Sequence, residues 1–314
     1  MLKLSFLNVG DGDAIFVEEM VGPRRFRMLV DTGSRDVSAA PGSCRVTAAE
    51  YLQSRGVTWL DALVITHLHT DHFGGLGAVM NTVGIGKVYS GFFPEGMGRV
   101  LAKLRDSKSI RGLTECLNLW SGYTAALERK GTCLCPITRQ REEIALTEGL
   151  RAVFYGPPAA PWTMQNRVWQ AMLRGEEPSD ELKYCTAKLR NPCSLRLSLL
   201  YAGRRVELAG DCYGAVWEDQ AQKSDFIKVP HHGDPKALTK TLLSRMDPQW
   251  AVVSCGEDYI PRKDRPSRRT LELLKDQGTR VWFTDAYAPA GGVPARHRSV
   301  DFFIYEDGSV LTPA

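Results

Sequence analysis

Short apolar runs with the two-residue period of half-buried strands open the chain, at Leu2 to Leu7, Ala14 to Glu18 and Arg25 to Val30. Gly10-Asp11-Gly12-Asp13 parts the first two and Asp31-Thr32-Gly33 ends the third, both rich in residues that turn a chain, so a small meander is predicted. Ala48 to Arg55 changes to a helical period and Gly56 stops it. Ala62 to Thr66 is a continuous, partly β-branched apolar run that predicts a buried strand. The segment Thr66-His67-Leu68-His69-Thr70-Asp71-His72 follows in the loop at its end.

Beyond Gly74-Gly75 the pattern is less regular. Val88 to Ser90 predicts a strand, Arg99 to Leu104 and Tyr123 to Glu128 helices, and Ile144 to Val153 strands again. From Pro157 to Lys188, Pro157-Pro158, Pro161, Trp162, Trp169 and Arg174-Gly175-Glu176-Glu177-Pro178 mark an inserted excursion expected to cover one rim of a site. The strand pattern then restarts. Ser194 to Tyr201 and Arg204 to Leu208 form a hairpin that runs into Gly210-Asp211; Phe226 to Val229 ends at Pro230-His231-His232-Gly233; Trp250 to Ser254 ends at Cys255-Gly256. A helix over Ser267 to Gln277 follows. Strands, motif loops and helices recur in this order in both halves without a residue-level repeat, which predicts an α/β chain of two sheets packed face to face with helices outside. The site is expected along one edge.

With 314 residues, 43% of them hydrophobic, the chain can bury a core without disulfides or a structural metal. Its 24% charged residues fit a globular protein and exclude a disordered one. The net charge of +4 permits a polyanionic substrate without requiring one. The first apolar run is cut off by Gly10, too early for a secretory leader, and no later run approaches the ~18 residues of a membrane span. A soluble, cytoplasmic protein with no membrane partner is expected. The eight cysteines are irregularly spaced with no Cys-x-x-Cys pair, so reduced thiols are expected.

His67 and His69, two apart in an extended segment, point the same way, and Asp71-His72 then turns the chain so that further donors face the same space. Imidazole with carboxylate suits zinc, manganese or iron. A Gly-Asp after a strand is common in turns; beside the histidine cluster Asp211 becomes a ligand candidate. Adjacent residues of an extended chain point to opposite sides, so His231 and His232 are not expected at one ion. Arg262, Lys263, Arg265, Arg268 and Arg269 crowd the approach to the last helix, where a phosphate contact and a solvated helix face are equally weighted readings. Trp162, Trp169 and Tyr184 are read as the small core of the excursion ahead of a surface for stacking bases.

The sequence His67-Leu68-His69-Thr70-Asp71-His72, followed by Phe73-Gly74-Gly75-Leu76, resembles the His-x-His-x-Asp-His signature of the metallo-β-lactamase fold superfamily. Leu7 to Ala14, Leu29 to Gly33, Leu208 to Asp211 and Ile227 to Gly233 extend the resemblance to the subgroup of competence DNA-uptake hydrolase domains and choline-phosphate esterases. It covers about Met1 to Gly86 and Asn191 onward. The resemblance implies a single domain with a four-layer αββα sandwich, here with insertions at about 90–145 and 157–188. It also implies two divalent metal ions, zinc or manganese: His67 and His69 at the first, Asp71 and His72 at the second, Asp211 bridging, and a histidine of the His231-His232 pair completing the second. His232 is the choice for that ligand, leaving His231 to assist a leaving oxygen and Asp71 to orient the nucleophile as well as bind metal. Asp13 and Asp31 would brace the metal loops by hydrogen bonds.

Two departures qualify the resemblance. Where many members supply a further histidine to the first site this chain has Asn191, a poor ligand, so the first ion is expected to be weak or dependent on substrate. Where the subgroup carries histidine before a proline, this chain has arginine in Arg265-Pro266. With Asn191, Arg262, Lys263 and Arg265 near the metals, the expected substrate carries phosphate and the expected reaction is metal-assisted hydrolysis of a phosphodiester, DNA and RNA included. The alternatives are a hydrolase of a small phosphoester, lactone, thioester or amide, and a non-catalytic protein that retains the fold.

Overall fold

The computed structural model describes residues 1–22, 24–37, 43–256, 265–285 and 297–313. Its strands are β1 (Leu2–Leu7), β2 (Ile15–Val21), β3 (Arg24–Val30), β4 (Trp59–Ile65), β5 (Gly84–Ser90), β6 (Cys133–Pro136), β7 (Arg141–Ala145), β8 (Leu150–Tyr155), β9 (Arg196–Tyr201), β10 (Arg204–Leu208), β11 (Phe226–Lys228), β12 (Trp250–Val253), β13 (Arg280–Phe283), β14 (Ser299–Ile304) and β15 (Val310–Leu311). One sheet runs β15-β14-β1-β2-β3-β4-β5-β6 and the other β13-β12-β11-β10-β9-β8-β7. Each sheet is antiparallel over part of its width and parallel over the rest, through β3 to β6 in the first and β10 to β13 in the second.

Side-chain alternation sends one face of the central strands into the core between the sheets. Leu2, Leu4 and Phe6 of β1, Ile15 and Val17 of β2, and Met28 and Val30 of β3 meet Ala152 and Phe154, Leu197 and Leu199, and Val206 and Leu208 of the second sheet. The opposite faces turn outward to helices. Phe16, Leu29, Leu63 and Ile65 pack under the helices Ala48–Ser54, Leu76–Thr82, Lys108–Arg129 and Ala159–Leu173. Ile227, Val229, Ala251 and Val253 pack under Lys240–Met246 and Arg268–Asp276. Three apolar layers therefore separate four layers of structure, an α/β sandwich of the αββα kind. Helix starts follow local chemistry: Thr47 and Glu50 close a capping box, and Ser107, Ser179 and Ser267 each accept a backbone N–H of the first turn.

The middle of the chain departs from its sequence reading. Tyr123 to Glu128 is the end of the long helix Lys108–Arg129, whereas Arg99 to Leu104 is not helical. The Asn118 side chain holds Val100 there through both its amide groups, at 2.7 and 2.8 Å, offering the backbone partners outside a helix. The excursion folds into the helices Ala159–Leu173 and Asp180–Leu189, with Trp169 buried edge-on against Phe92 in the outer core. Arg190, just after them, donates from Nη1 to Leu68 O at 3.1 Å and so ties this part to the histidine loop. The eight cysteines are free thiols; Cys133 and Cys135 approach no closer than 3.6 Å between sulfurs. Among the described residues no helix is long and apolar enough to cross a membrane.

Candidate metal centre

In parallel sheets the carboxyl ends of the strands are where loops meet and ligands bind. Here β3 ends at Asp31, β4 at Thr66 to His72, β10 at Gly210-Asp211 and β11 at Pro230 to Gly233, so the two sheets bring their motif loops to one edge. The loops lock together through backbone bonds: Leu195 N to Thr66 O, His231 N to Gly210 O, Asp13 N to Asp71 O and Thr32 N to His72 O. Gly210, at φ +52°, lies so close that a Cβ there would stand 2.7 Å from Thr66 Oγ1.

Asp211 is buried at the centre, and its two oxygens face two sets of donors. Oδ1 lies 3.2 Å from His72 Nε2 and 3.6 Å from His232 Nε2, and Asp71 Oδ2 is 3.5 Å from the same His232 nitrogen. Oδ2 lies 3.8 Å from His67 Nε2, which is 2.9 Å from His69 Nδ1. One donor atom from each of Asp71, His72, Asp211 and His232 falls within 4.8 Å of the others, and the same holds for His67, His69 and Asp211. His72 Nε2 and Asp211 Oδ1 are buried and make no hydrogen bond, although they face each other. Buried polar atoms are rarely left so, and convergent imidazole and carboxylate donors are the environment of a divalent cation. The residues present fit two such ions.

Around these donors runs a bracing layer. Asp31 accepts from Thr66 N at 2.8 Å, Thr66 Oγ1 at 2.7 Å and His72 Nδ1 at 2.7 Å, which turns His72 Nε2 inward. His232 donates from Nδ1 to Ser254 O at 3.0 Å, and its Nε2 is likewise left facing the centre. Asp13 pairs with the ammonium of Lys228, which has no exposed surface and also reaches Gly210 O at 3.3 Å. Asp13, Asp31 and His72 form a third acidic grouping. Asp31 and His72 Nδ1 are taken up by these bonds and Asp13 Oδ2 by Lys228, while Asp13 Oδ1 is buried without a hydrogen bond.

Burial sets the charge of the rings. It pushes His67 well below the usual imidazole range, with His72 adding to the effect, and burial with the Arg190 guanidinium takes His69 down to about 3. Both are neutral donors near pH 7. Burial also disfavours a charged His72, but Asp211 and Asp31 outweigh it and hold that ring well above its ordinary range. Burial would raise Asp71 and Asp211 too; His232 and His72 more than offset it and keep both carboxyls ionised.

The His231-His232 pair corrects the expectation of an extended segment. Both residues are left-handed, at φ 49° and 55°, inside the turn Pro230–Gly233. The turn gives them different sides of one carboxylate: His232 meets Asp211 Oδ1, while His231 Nε2 lies 3.6 Å from Oδ2 and 2.9 Å from Asn191 Nδ2. Arg265 binds Asp234 Oδ2 from Nε and Nη2, at 3.2 and 2.8 Å, and the same Asp234 oxygen is 3.5 Å from His231 Nδ1. Asn191, His231 and Arg265 therefore form one connected wall. Arg262 and Lys263 lie outside the described residues. Sequence reading missed Thr66, Asp234 and Lys228 in this assembly. Lys228 had a signal, since in β11 it shares a face with the core residue Phe226, an unusual position for a lysine.

Residues 7–92 match the family model described as the metallo-beta-lactamase superfamily. That match covers the segment that carries the histidine cluster, and over it the chain is similar to this superfamily. The chain is also similar to ComE operon protein 3 of Bacillus subtilis (strain 168), 23% identical over 297 residues, which are 90% of this chain and 32% of that protein. It thus spans about a third of that relative's length. Solved structures similar to it include Zn(2+)-bound PqqB from Methylobacterium extorquens, with a TM-score of 0.47 and 8% identity over 96% of this chain and 99% of that one. Human tRNase Z, short form, has a TM-score of 0.39 and 12% identity over 90% and 92%.

Proposed function

We propose that the chain is a metal-dependent phosphodiesterase, with nucleic acid as the substrate class. The observation that carries this reading is Asp211, buried between two donor sets with one oxygen toward each. Divalent cations held there supply an activated water and neutralise charge developing on a phosphoryl oxygen. The site holds four carboxylates, Asp13, Asp31, Asp71 and Asp211, and one ammonium, that of Lys228 paired with Asp13, so two divalent cations leave a single positive charge to receive an anion. A phosphodiester carries the matching charge.

The chain's own residues divide the remaining work. Asp71, with its side chain 26% exposed, is the open carboxylate of the second donor set and is placed to orient a nucleophile. Burial, reinforced by Arg265 and opposed by Asp211, holds His231 below the ordinary imidazole range, so its ring is neutral; a substrate oxygen that displaces the Asn191 amide from Nε2 receives a hydrogen bond from the tautomer protonated there. Arg265, fixed by Asp234, adds positive charge on the same side, and Asn191 sets the His231 ring plane.

The decisive experiment measures bound metal together with manganese-stimulated cleavage of labelled single- and double-stranded DNA and RNA, compared with bis(p-nitrophenyl) phosphate. Polymer cleavage that is lost with Asp71→Ala and with Asp211→Ala is the expected result. Activity retained in either variant would sink the two-metal reading. Cleavage of the small ester without action on polymers would favour a small-phosphoester hydrolase, and absence of both metal and turnover a binding protein.

A further inference from the structure

A cleft of about 690 Å³ opens beside the metal centre, a volume within the range of roughly 300–1,000 Å³ usual for ligand sites. Its position follows from strand register. Ser90 of β5 is paired with Ile65 of β4, and the residues that come next are Gly91, in the cleft, and Thr66, where the histidine loop begins. The cleft therefore lies on the same carboxyl edge, one strand over.

The walls combine three chemistries. Phe93 and Trp162 supply aromatic surface. Asn166 and Gln170, four apart on the helix Ala159–Leu173, share one face of it and present amides. Arg174 at the rim is paired with Glu95, also in the lining, at 3.5 Å and with Glu176 at 2.8 Å, whereas Arg167 is exposed with no ion pair among the described residues and brings the free cation.

The amides are the telling feature. Gln170 is only 7% exposed, and its Nε2 has no hydrogen-bond partner; Asn166 Oδ1 has none either. One is a donor and the other an acceptor. Leaving both unmatched is costly, and such atoms ask for a partner. The frame that carries them is fixed, because Trp162 Nε1 and Asn166 Nδ2 both donate to Gly91 O, at 3.1 and 3.2 Å. An unmatched donor and an unmatched acceptor one turn apart on a helix, an aromatic wall and the Arg167 guanidinium together complement a planar heteroaromatic ring with a polar edge, attached to a phosphate.

We propose that this cleft is a nucleobase subsite, holding a base that flanks the scissile phosphodiester, with Asn166 and Gln170 on its edge and Arg167 on the adjoining phosphate. The inference rests on the phosphodiesterase reading, and it gives the helical excursion of the middle chain a role in binding polymer.

The test is equilibrium binding of the full chain, as purified, to a labelled single-stranded oligonucleotide made hydrolysis-resistant by phosphorothioate linkages, and to an abasic strand of the same length. The base-bearing strand is expected to bind about tenfold more tightly, as stacking and edge contacts on one base imply. Arg167→Ala changes an exposed residue and Gln170→Leu removes an unmatched buried amide, so both should fold, which thermal melting checks. Each is expected to weaken the base-bearing strand and narrow its advantage over the abasic one. Equal affinity for the two strands, or an advantage untouched by both variants, overturns the subsite. Base-dependent binding in a chain that cleaves no phosphodiester would leave the subsite standing while the catalytic reading fell, and cleavage without base dependence would do the reverse.

Discussion

His231, His232 and Asp31 hold left-handed backbone angles, at φ 49°, 55° and 56°, where a side chain costs about 1–2 kcal/mol relative to glycine. All three stand at the metal centre, and strain of this kind persists where the surrounding structure imposes it for a purpose. At His231 strain and function can be separated. His231→Gly relieves the backbone while removing the ring beside Asp211 Oδ2, so the thermal midpoint should hold or rise, by the equivalent of about 1 kcal/mol. Hydrolysis of bis(p-nitrophenyl) phosphate should fall about a hundredfold, as when one pre-positioned donor is lost. A variant that unfolds earlier would mean the imidazole is there for packing. Residue chemistry explains what sequence could show. The His67 to His72 cluster was legible because its donor types stand together in the chain. The turn at His231-His232 was not, since nothing but Gly233 hints that two histidines leave the extended conformation. Asn191 was legible as a departure from a pattern, while its bond to His231 depends on two strands from distant parts of the sequence.

Strands were easier to read than their surroundings. β1, β3, β4, β9 and β10 fall where alternating or β-branched runs predicted them, because each puts an alternating apolar face into the core between the sheets. The failure at Arg99 to Leu104 has the opposite cause: its apolar spacing imitates a helix, but Asn118, far along the chain, supplies the backbone's partners. The turn before β2 shows how an element holds the centre from outside. Gly12 has φ +137°, and a Cβ there would stand 2.3 Å from Asp71 O, the same oxygen that accepts from Asp13 N. Backbone cannot yield as a flexible side chain can. Gly12→Ala should therefore push the turn off the histidine loop, costing upward of about 2 kcal/mol in stability through combined strain and clash. Chemical denaturation reads this directly, and metal affinity should weaken with it because Asp71 moves. An alanine tolerated at wild-type stability would show that the turn and the loop are not mechanically joined.

Across the whole molecule, folding and metal binding draw on different resources. The three apolar layers contain none of the proposed ligands, and a chain of 314 residues has interior enough to fold on burial alone. The acidic edge is another matter, because Asp13, Asp31, Asp71 and Asp211 crowd together with Lys228 as the buried ammonium among them. Ions bound only by the folded chain stabilise it by linkage, at about 2.7 kcal/mol for each site when free metal is a hundredfold above its Kd. In a molecule larger than 250 residues each kcal/mol moves the melting midpoint by roughly 2 °C or less, so full chelation should lower it by several degrees. The far-ultraviolet dichroism at room temperature should not change, since the sandwich does not depend on the ions. Restoring zinc or manganese should recover the midpoint in two phases: the tighter from the set of Asp71, His72, Asp211 and His232, the weaker from His67 and His69, which share Asp211 and have Asn191 nearby in place of a third imidazole. A midpoint indifferent to chelator would deny the ions altogether. A single phase of recovery would mean that Asp211 couples the two positions so strongly that the weaker set fills with the tighter one.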